Sequence, residues 1–282
     1  MLRGTLTLIA MISIFNIGLS EVSAIENPFI NYYGIEITEI EYNNLLNLGF
    51  TDKEIYYMDK DTYLDNKDYN AVLLVSNKKY YKTVVPYYGV SYTTEVTYDD
   101  YLNYEYGNGL RDWSQTYFQE FETTISYKNA DKYRYKITTN WLNMPANFSY
   151  DVIGIGFQDD VYISSTVFFK HMWTLSDSTE GQSTGVYDRK STSIGGSVTY
   201  QLPSGNVVGM GATLYYDVSK ETNDTITYLE VCGDYAHSLS PVTGTQASNY
   251  VMSYGGIGFD STVGPYFNQI PCTYASIYGI SW

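Results

Sequence analysis

Glu120 and Glu122 are the two carboxylates best placed to act together. Two positions apart on a strand, they share a face about 7 Å apart, a layout that β-jelly-roll glycosidases use on cleft strands. The same face of the same hairpin carries Lys132, Arg134 and Lys136, and the expected register sets Glu122 diagonally beside Lys136. Exposed cross-strand ion pairing therefore accounts for both glutamates without catalysis. Gly181-Gln182-Ser183-Thr184-Gly185 matches the G-x-S-x-G nucleophile pattern, with Asp217 and His237 following in the required order. That chemistry needs a strand-to-helix turn over a parallel sheet. This match sits in a polar loop of a strand-rich chain with 23 Gly, where chance supplies it readily. Asp59, Asp61 and Asp65 approach a calcium-loop spacing, but Leu64 stands where the tight-turn glycine belongs, so helix capping explains them better. Asp159-Asp160 or Asp99-Asp100 could hold a structural Ca²⁺; no other cofactor is expected. His171 and His237 are isolated, and the two cysteines, Cys232 and Cys272, show no ligand spacing with them. In an exported chain the cysteines read as one disulfide, worth about 2–4 kcal/mol.

The elements that would position these groups are mainly strands. Residues 113–141 read as a long β-hairpin in which Trp113, Tyr117, Phe121, Ile125 and Tyr127 line one face of the first arm. Tyr133, Tyr135, Ile137 and Trp141 line the second. A turn at Asn129-Ala130-Asp131 sets Tyr127 opposite Tyr133 and Ile125 opposite Tyr135, so burial of both apolar faces fixes the register. From Leu110 onward short strands follow one another with no long helix between them, which indicates an antiparallel β-sandwich or jelly roll over 110–282. Residues 191–219 read as a single two-arm ribbon. Gly195-Gly196 and Pro203 break the apolar-out alternation that a β-barrel pore would need, so an edge hairpin is the expectation. Residues 71–109 form a strand-rich connection that ends in the polar, Tyr-rich run Asp99–Gly109.

Ahead of the β-domain the periodicity is helical. Thr38 with Glu41 and Thr51 with Glu54 make two capping boxes, and a third short helix runs through Tyr63 and Leu64. Residues 25–70 thus form a small helical unit. Residues 1–24 have the layout of a cleaved secretory signal: Arg3, a short apolar run, and Val22-Ser23-Ala24 before the cut. No later stretch is apolar enough to span a bilayer. The run NPFINYYGIEITEIEYNNLLNLGFTDKEIYYMDKDTYLDNKDYNA resembles the N-terminal segment of a group of secreted, functionally uncharacterised proteins of low-GC Gram-positive bacteria. WLNMPANFSYDVIGIGF is similar to their central stretch. The resemblance implies export and a helical head before a β-domain, and brings no catalytic residues with it.

A formal charge of −15 argues against nucleic acid and anionic lipid as partners. The 33 Tyr suit strands and half-buried surfaces, where the ring packs and the hydroxyl stays wet. Exposed aromatic rings stack on sugars and anchor interfaces. The expectation is therefore an extracellular, non-catalytic protein that recognises a glycan or a surface protein, with Trp113, Tyr117, Trp141, Tyr215 and Tyr216 as candidate binding residues. A polysaccharide-active enzyme using Glu120 and Glu122 is the alternative, ahead of a pore-forming toxin.

Overall fold

The computed structural model describes residues 28–106, 114–129, 132–158 and 161–282. The expected signal segment, Trp113, the tip of the 129–131 turn and Asp159-Asp160 lie outside the described residues. The head opens with β1 (Phe29–Ile30) paired to β2 (Glu36–Ile37), followed by α1 (Glu39–Asn47), α2 (Asp52–Tyr56) and α3 (Lys60–Asn66). Both capping boxes form as the sequence dictates: Thr38 and Thr51 accept from the backbone N–H of Glu41 and Glu54, whose carboxylates return the bond. Asp59 caps α3 through the Thr62 N–H at 2.9 Å, so its place is a helix terminus.

Strands then dominate: β3 (Val72–Val85), β4 (Tyr92–Val96), β5 (Gln115–Asn129), β6 (Lys132–Trp141), β7 (Tyr150–Phe157) and β8 (Val161–Ile163), with α4 (Tyr98–Tyr106) between β4 and β5. The chain continues through β9 (Phe168–Leu175), β10 (Glu180–Ser183), β11 (Asp188–Thr192), β12 (Gly195–Gln201), β13 (Val207–Lys220) and β14 (Tyr228–Ser238). It ends with α5 (Gly244–Ala247), β15 (Tyr250–Ser253), β16 (Gly256–Phe259) and β17 (Phe267–Tyr278). Eight strands make the larger sheet, in the order β10-β9-β13-β6-β5-β3-β4 with β8 on the end of β13; β11-β12-β7-β14-β17 make the smaller. Every pairing is antiparallel, and the two sheets close face to face as a β-sandwich. The central hairpin has the expected register, Tyr127 opposite Tyr133 and Ile125 opposite Tyr135.

Between the sheets lie Phe121, Ile125, Ile137 and Leu214 from one side and Ile153, Ile155, Phe157 and Val231 from the other. Tyrosine is a core residue here as well as a surface one. Tyr135, Tyr200, Tyr216 and Tyr235 are fully buried, and the last three gain internal partners for their hydroxyls. Tyr216 donates to the Ile155 carbonyl at 2.7 Å, and Tyr235 donates to Asp151.

Three sequence expectations need correction. The stretch 71–85 is no connection: β3 pairs along its length with β5 and belongs to the larger sheet. Residues 98–106 form a helix where a polar connection was expected. Residues 191–219 are not one ribbon either. β12 sits in the smaller sheet and β13 in the larger, and the chain crosses between the sheets at Pro203–Asn206, where proline cannot donate to a ladder.

The larger sheet is also covered on its second face. Leu45, Leu48, Phe50, Ile55 and Met58 of the head pack there with Tyr215 and Phe168. Arg134 and Lys136 of β6 are therefore buried rather than solvated, and Lys132 is half-buried. Lys136 pairs with Glu54 of α2 at 2.9 Å, and Thr213 donates to the same carboxylate. Arg134 binds Asp217 at 2.8 Å and reaches Asn66 of α3, while Lys128 also pairs with Asp217. Lys170 donates to the Tyr57 carbonyl at 2.8 Å and to Asp59 at 3.3 Å. Burial pushes the Glu54 carboxyl up, but Lys136, the Thr213 hydroxyl and the Thr51 N–H together hold it below its usual range. Asp217 behaves alike: burial raises it, and Arg134 and Lys128 more than offset that.

The Cys232–Cys272 disulfide ties β14 to β17 with Cα atoms 5.5 Å apart, closing a loop of 40 residues. Its replacement by a Cys232→Ala/Cys272→Ala pair should lower unfolding free energy by about 3–4 kcal/mol in urea titration. Glu54→Gln leaves Lys136 buried without its partner and should cost about 3–5 kcal/mol in the same measurement. The Glu54→Leu/Lys136→Met double variant should lose clearly less than Glu54→Gln, because no charge is then stranded.

Candidate functional site

An open pocket of about 620 Å³ lies at the end of the sandwich where β9, β10 and the start of β7 meet the β12–β13 crossing. Its position follows from strand alternation. On β9, Phe169, His171 and Trp173 point toward the intersheet core, while Phe168 and Lys170 point toward the head. Phe169 and His171 are buried, but Trp173, near the strand end, is only partly covered. Opposite Trp173 in the register stands Gly181, where a Cβ would fall 2.3 Å from the indole. Glycine there lets the indole lie directly on the β10 backbone. Tyr150 and Tyr187 form a second aromatic wall, their rings edge-to-face at 5.5 Å. Gln201, Ser183 and Ser204 supply polar edges.

His171 is the titratable group at the pocket floor. Its ring lies 5.3 Å from Trp173 and 5.0 Å from Tyr200. Burial pulls its pKa down to about 4, against the opposing pull of Asp151, so the imidazole is neutral at physiological pH. Behind it runs a buried polar chain. The Tyr200 hydroxyl donates to that of Tyr235 at 3.4 Å, Tyr235 donates to Asp151, and Asp151 contacts His237 Nδ1 at 2.9 Å. Asp151 also accepts from the Ser238 N–H at 3.2 Å. The chain satisfies a carboxylate with no solvent exposure and fixes the rings around the pocket floor.

The nucleophile motif is dispersed. Ser183 lies on β10, an antiparallel edge strand, and its Oγ accepts from the Gly185 N–H at 3.0 Å. His237 is in the other sheet with Asp151, and Asp217 faces the head under Arg134. Glu120 and Glu122 do share a face, but their cation is Lys78 of β3, at 3.4 and 3.7 Å, rather than Lys136. Glu120 further accepts from Asn140 and Glu122 from Ser76, so both carboxylates are engaged in the sheet surface away from the pocket. Asp99-Asp100 begin α4, where Asp100 caps through Thr97. Among the described residues no three His, Cys, Asp or Glu lie together as a metal site.

Of the aromatic residues named from sequence, Tyr117 and Trp141 meet at a tilt in the core, their rings 5.1 Å apart, with His237 against both. Tyr216 is core as well, and Tyr215 is sandwiched between Phe168 and Phe50 under the head, with Arg134 over its ring. None of these four rings faces solvent. The first pocket is instead lined by Tyr150, Trp173 and Tyr187, which the sequence pattern does not single out. One signal was available: Trp173 ends a strand beside a Ser/Thr/Gly-rich loop, where an apolar face runs out of core to fill.

A second open pocket, about 770 Å³, adjoins the first across Tyr187. It is lined by the layer over the outer face of the smaller sheet, where Ala247, Tyr250, Met252, Ile257 and Val263 pack on Val152 and Ala236. That layer is pinned by Asp234, which accepts from the Ile257 N–H at 2.6 Å and from Gln269 at 3.3 Å.

No family model matches the chain, and no curated protein matches it. Among solved structures it is similar to the pilus backbone RrgB of Streptococcus pneumoniae, at 10% identity over 55% of this chain and 70% of that one, with a TM-score of 0.30. The C-terminal domain of the Streptococcus agalactiae AgI/II polypeptide BspA aligns at 9% identity over 58% and 75%, with a TM-score of 0.24. The collagen-binding domain of the Erysipelothrix rhusiopathiae surface protein RspB aligns at 6% identity over 59% and 66%, with a TM-score of 0.27. Superpositions this loose define no common family, and none of these proteins' ligands carries over to this chain. Among the described residues no helix is long and apolar enough to cross a membrane.

Burial raises Asp234 from 3.8 to about 7 despite its N–H donors. Its stabilising contribution is therefore full below pH 4 and lost as pH rises through 7. His171 acts in the opposite sense, contributing fully above its unfolded value of 6.5 and losing that contribution as pH falls toward 4. Relative to wild type, Asp234→Asn should gain stability between pH 5 and pH 8, and His171→Gln should gain it between pH 7 and pH 4, in urea midpoints across pH.

Proposed function

We propose that this chain is an exported recognition protein that binds a neutral glycan in the pocket floored by His171 and walled by Trp173, Tyr150 and Tyr187. The observation that carries the reading is the lining itself. Partly exposed aromatic rings are set beside amide and hydroxyl groups, with no Lys, Arg, Asp or Glu among the residues that line the pocket. Aromatic faces take the apolar C–H face of a sugar ring, and amides and hydroxyls take its hydroxyl edge. Hydrolysis in the usual way needs two carboxyls flanking the scissile bond. The glutamate pair sits elsewhere, bound to Lys78. Phosphorylated or sulfated ligands call for Arg or Lys, which this lining does not include. Export rests on the layout of residues 1–24.

A neutral-glycan array followed by titration calorimetry tests the reading. Trp173→Ala should weaken binding by about tenfold or more, or about 1.4 kcal/mol. Gln201→Ala, at an exposed position, should weaken it by a smaller factor without affecting the fold. Glu120→Gln/Glu122→Gln should bind as wild type does. Unchanged affinity in both pocket variants, or an array without a hit, refutes the assignment.

A further inference from the structure

The two open pockets share one wall, Tyr187, and we infer that they are consecutive subsites of one groove that takes a linear, neutral oligosaccharide chain. The inference rests on the glycan reading of the first pocket. Tyr187 is about half exposed, yet it is fixed from both sides. Tyr150 meets its ring edge-on at 5.5 Å, and its hydroxyl is 3.0 Å from the Thr245 hydroxyl at the start of α5. The ring also lies directly over Gly244, where a Cβ would fall 2.3 Å from it. A ring immobilised between two cavities is a preorganised stacking surface, since little side-chain entropy is left to lose on binding.

The second pocket repeats the chemistry of the first. Tyr266 offers a ring 43% exposed, Gln246, Ser248 and Asn249 add amides and a hydroxyl, and Asp188 adds one carboxylate to the lining. No Lys or Arg lines it, as none lines the first. Two polar, ring-walled cavities abutting across one tyrosine suit a repeating polyol. A single monosaccharide would leave one of them unused. Filling both with one chain makes the second contact intramolecular, so affinity rises with chain length until both are occupied.

Calorimetry with cello-, xylo-, malto- and chito-oligosaccharides from dimer to hexamer tests this. For whichever series binds, affinity should rise about tenfold or more from dimer to hexamer. Tyr266→Ala/Asn249→Ala should remove most of that rise while leaving dimer affinity near wild type, and Trp173→Ala should weaken dimer and hexamer alike. Equal affinity for dimer and hexamer, or a rise that survives Tyr266→Ala/Asn249→Ala, refutes the two-subsite groove while leaving the glycan pocket standing. Absence of binding in all four series refutes both.

Discussion

The larger sheet has two buried faces, and one of them is charged. Lys128, Arg134, Lys136 and Lys170 are all nearly solvent-free, and each would be costly there alone. The head answers them with Glu54, Asp59 and Asn66, and β13 contributes Asp217. Such pairs add little net stability over apolar packing, but a displaced head would strand several charges at once. The apolar residues around them, Leu45, Leu48, Phe50 and Ile55, would tolerate many orientations; the ion pairs select one.

That docking decides what remains available for recognition. The head occupies one outer face and the α5/β15–β16 layer another, so the sandwich is closed above and below. The first open pocket lies where β9, β10, β12 and the loop to β11 run past the end of the core, and the second lies beside α5 and the segment before β17. Tyr200 and Phe169 are buried in the intersheet core, while Trp173 and Tyr150 beside the pocket are only partly covered. The first pocket thus opens where the intersheet packing gives out.

The sequence made the skeleton legible because strand alternation and capping boxes are local. Tyr127 opposite Tyr133 follows from burial on one face and a turn of fixed length. The Thr38 and Thr51 caps follow from a spacing of three. What alternation cannot say is what covers the second face. Arg134 and Lys136 looked like part of a solvated stripe because their partners come from α2, α3 and β13, far away in the chain. For the same reason Tyr117, Trp141, Tyr215 and Tyr216 read from sequence as candidate surface rings, although their neighbours, equally distant in the chain, bury them. Pro203 shows in the sequence as a break in alternation, but nothing local shows that the chain changes sheets there.

The long reach of the head's contacts also bears on the order of assembly. Glu54 accepts from Thr213 across 159 residues, and Asn66 donates to Tyr215 across 149. Helices made first must wait for a strand made much later, their apolar sides meanwhile uncovered, since distant contacts reward the chain only after closure of the intervening loop. A polypeptide wired in this manner cannot complete the cover of its larger sheet until β13 has emerged.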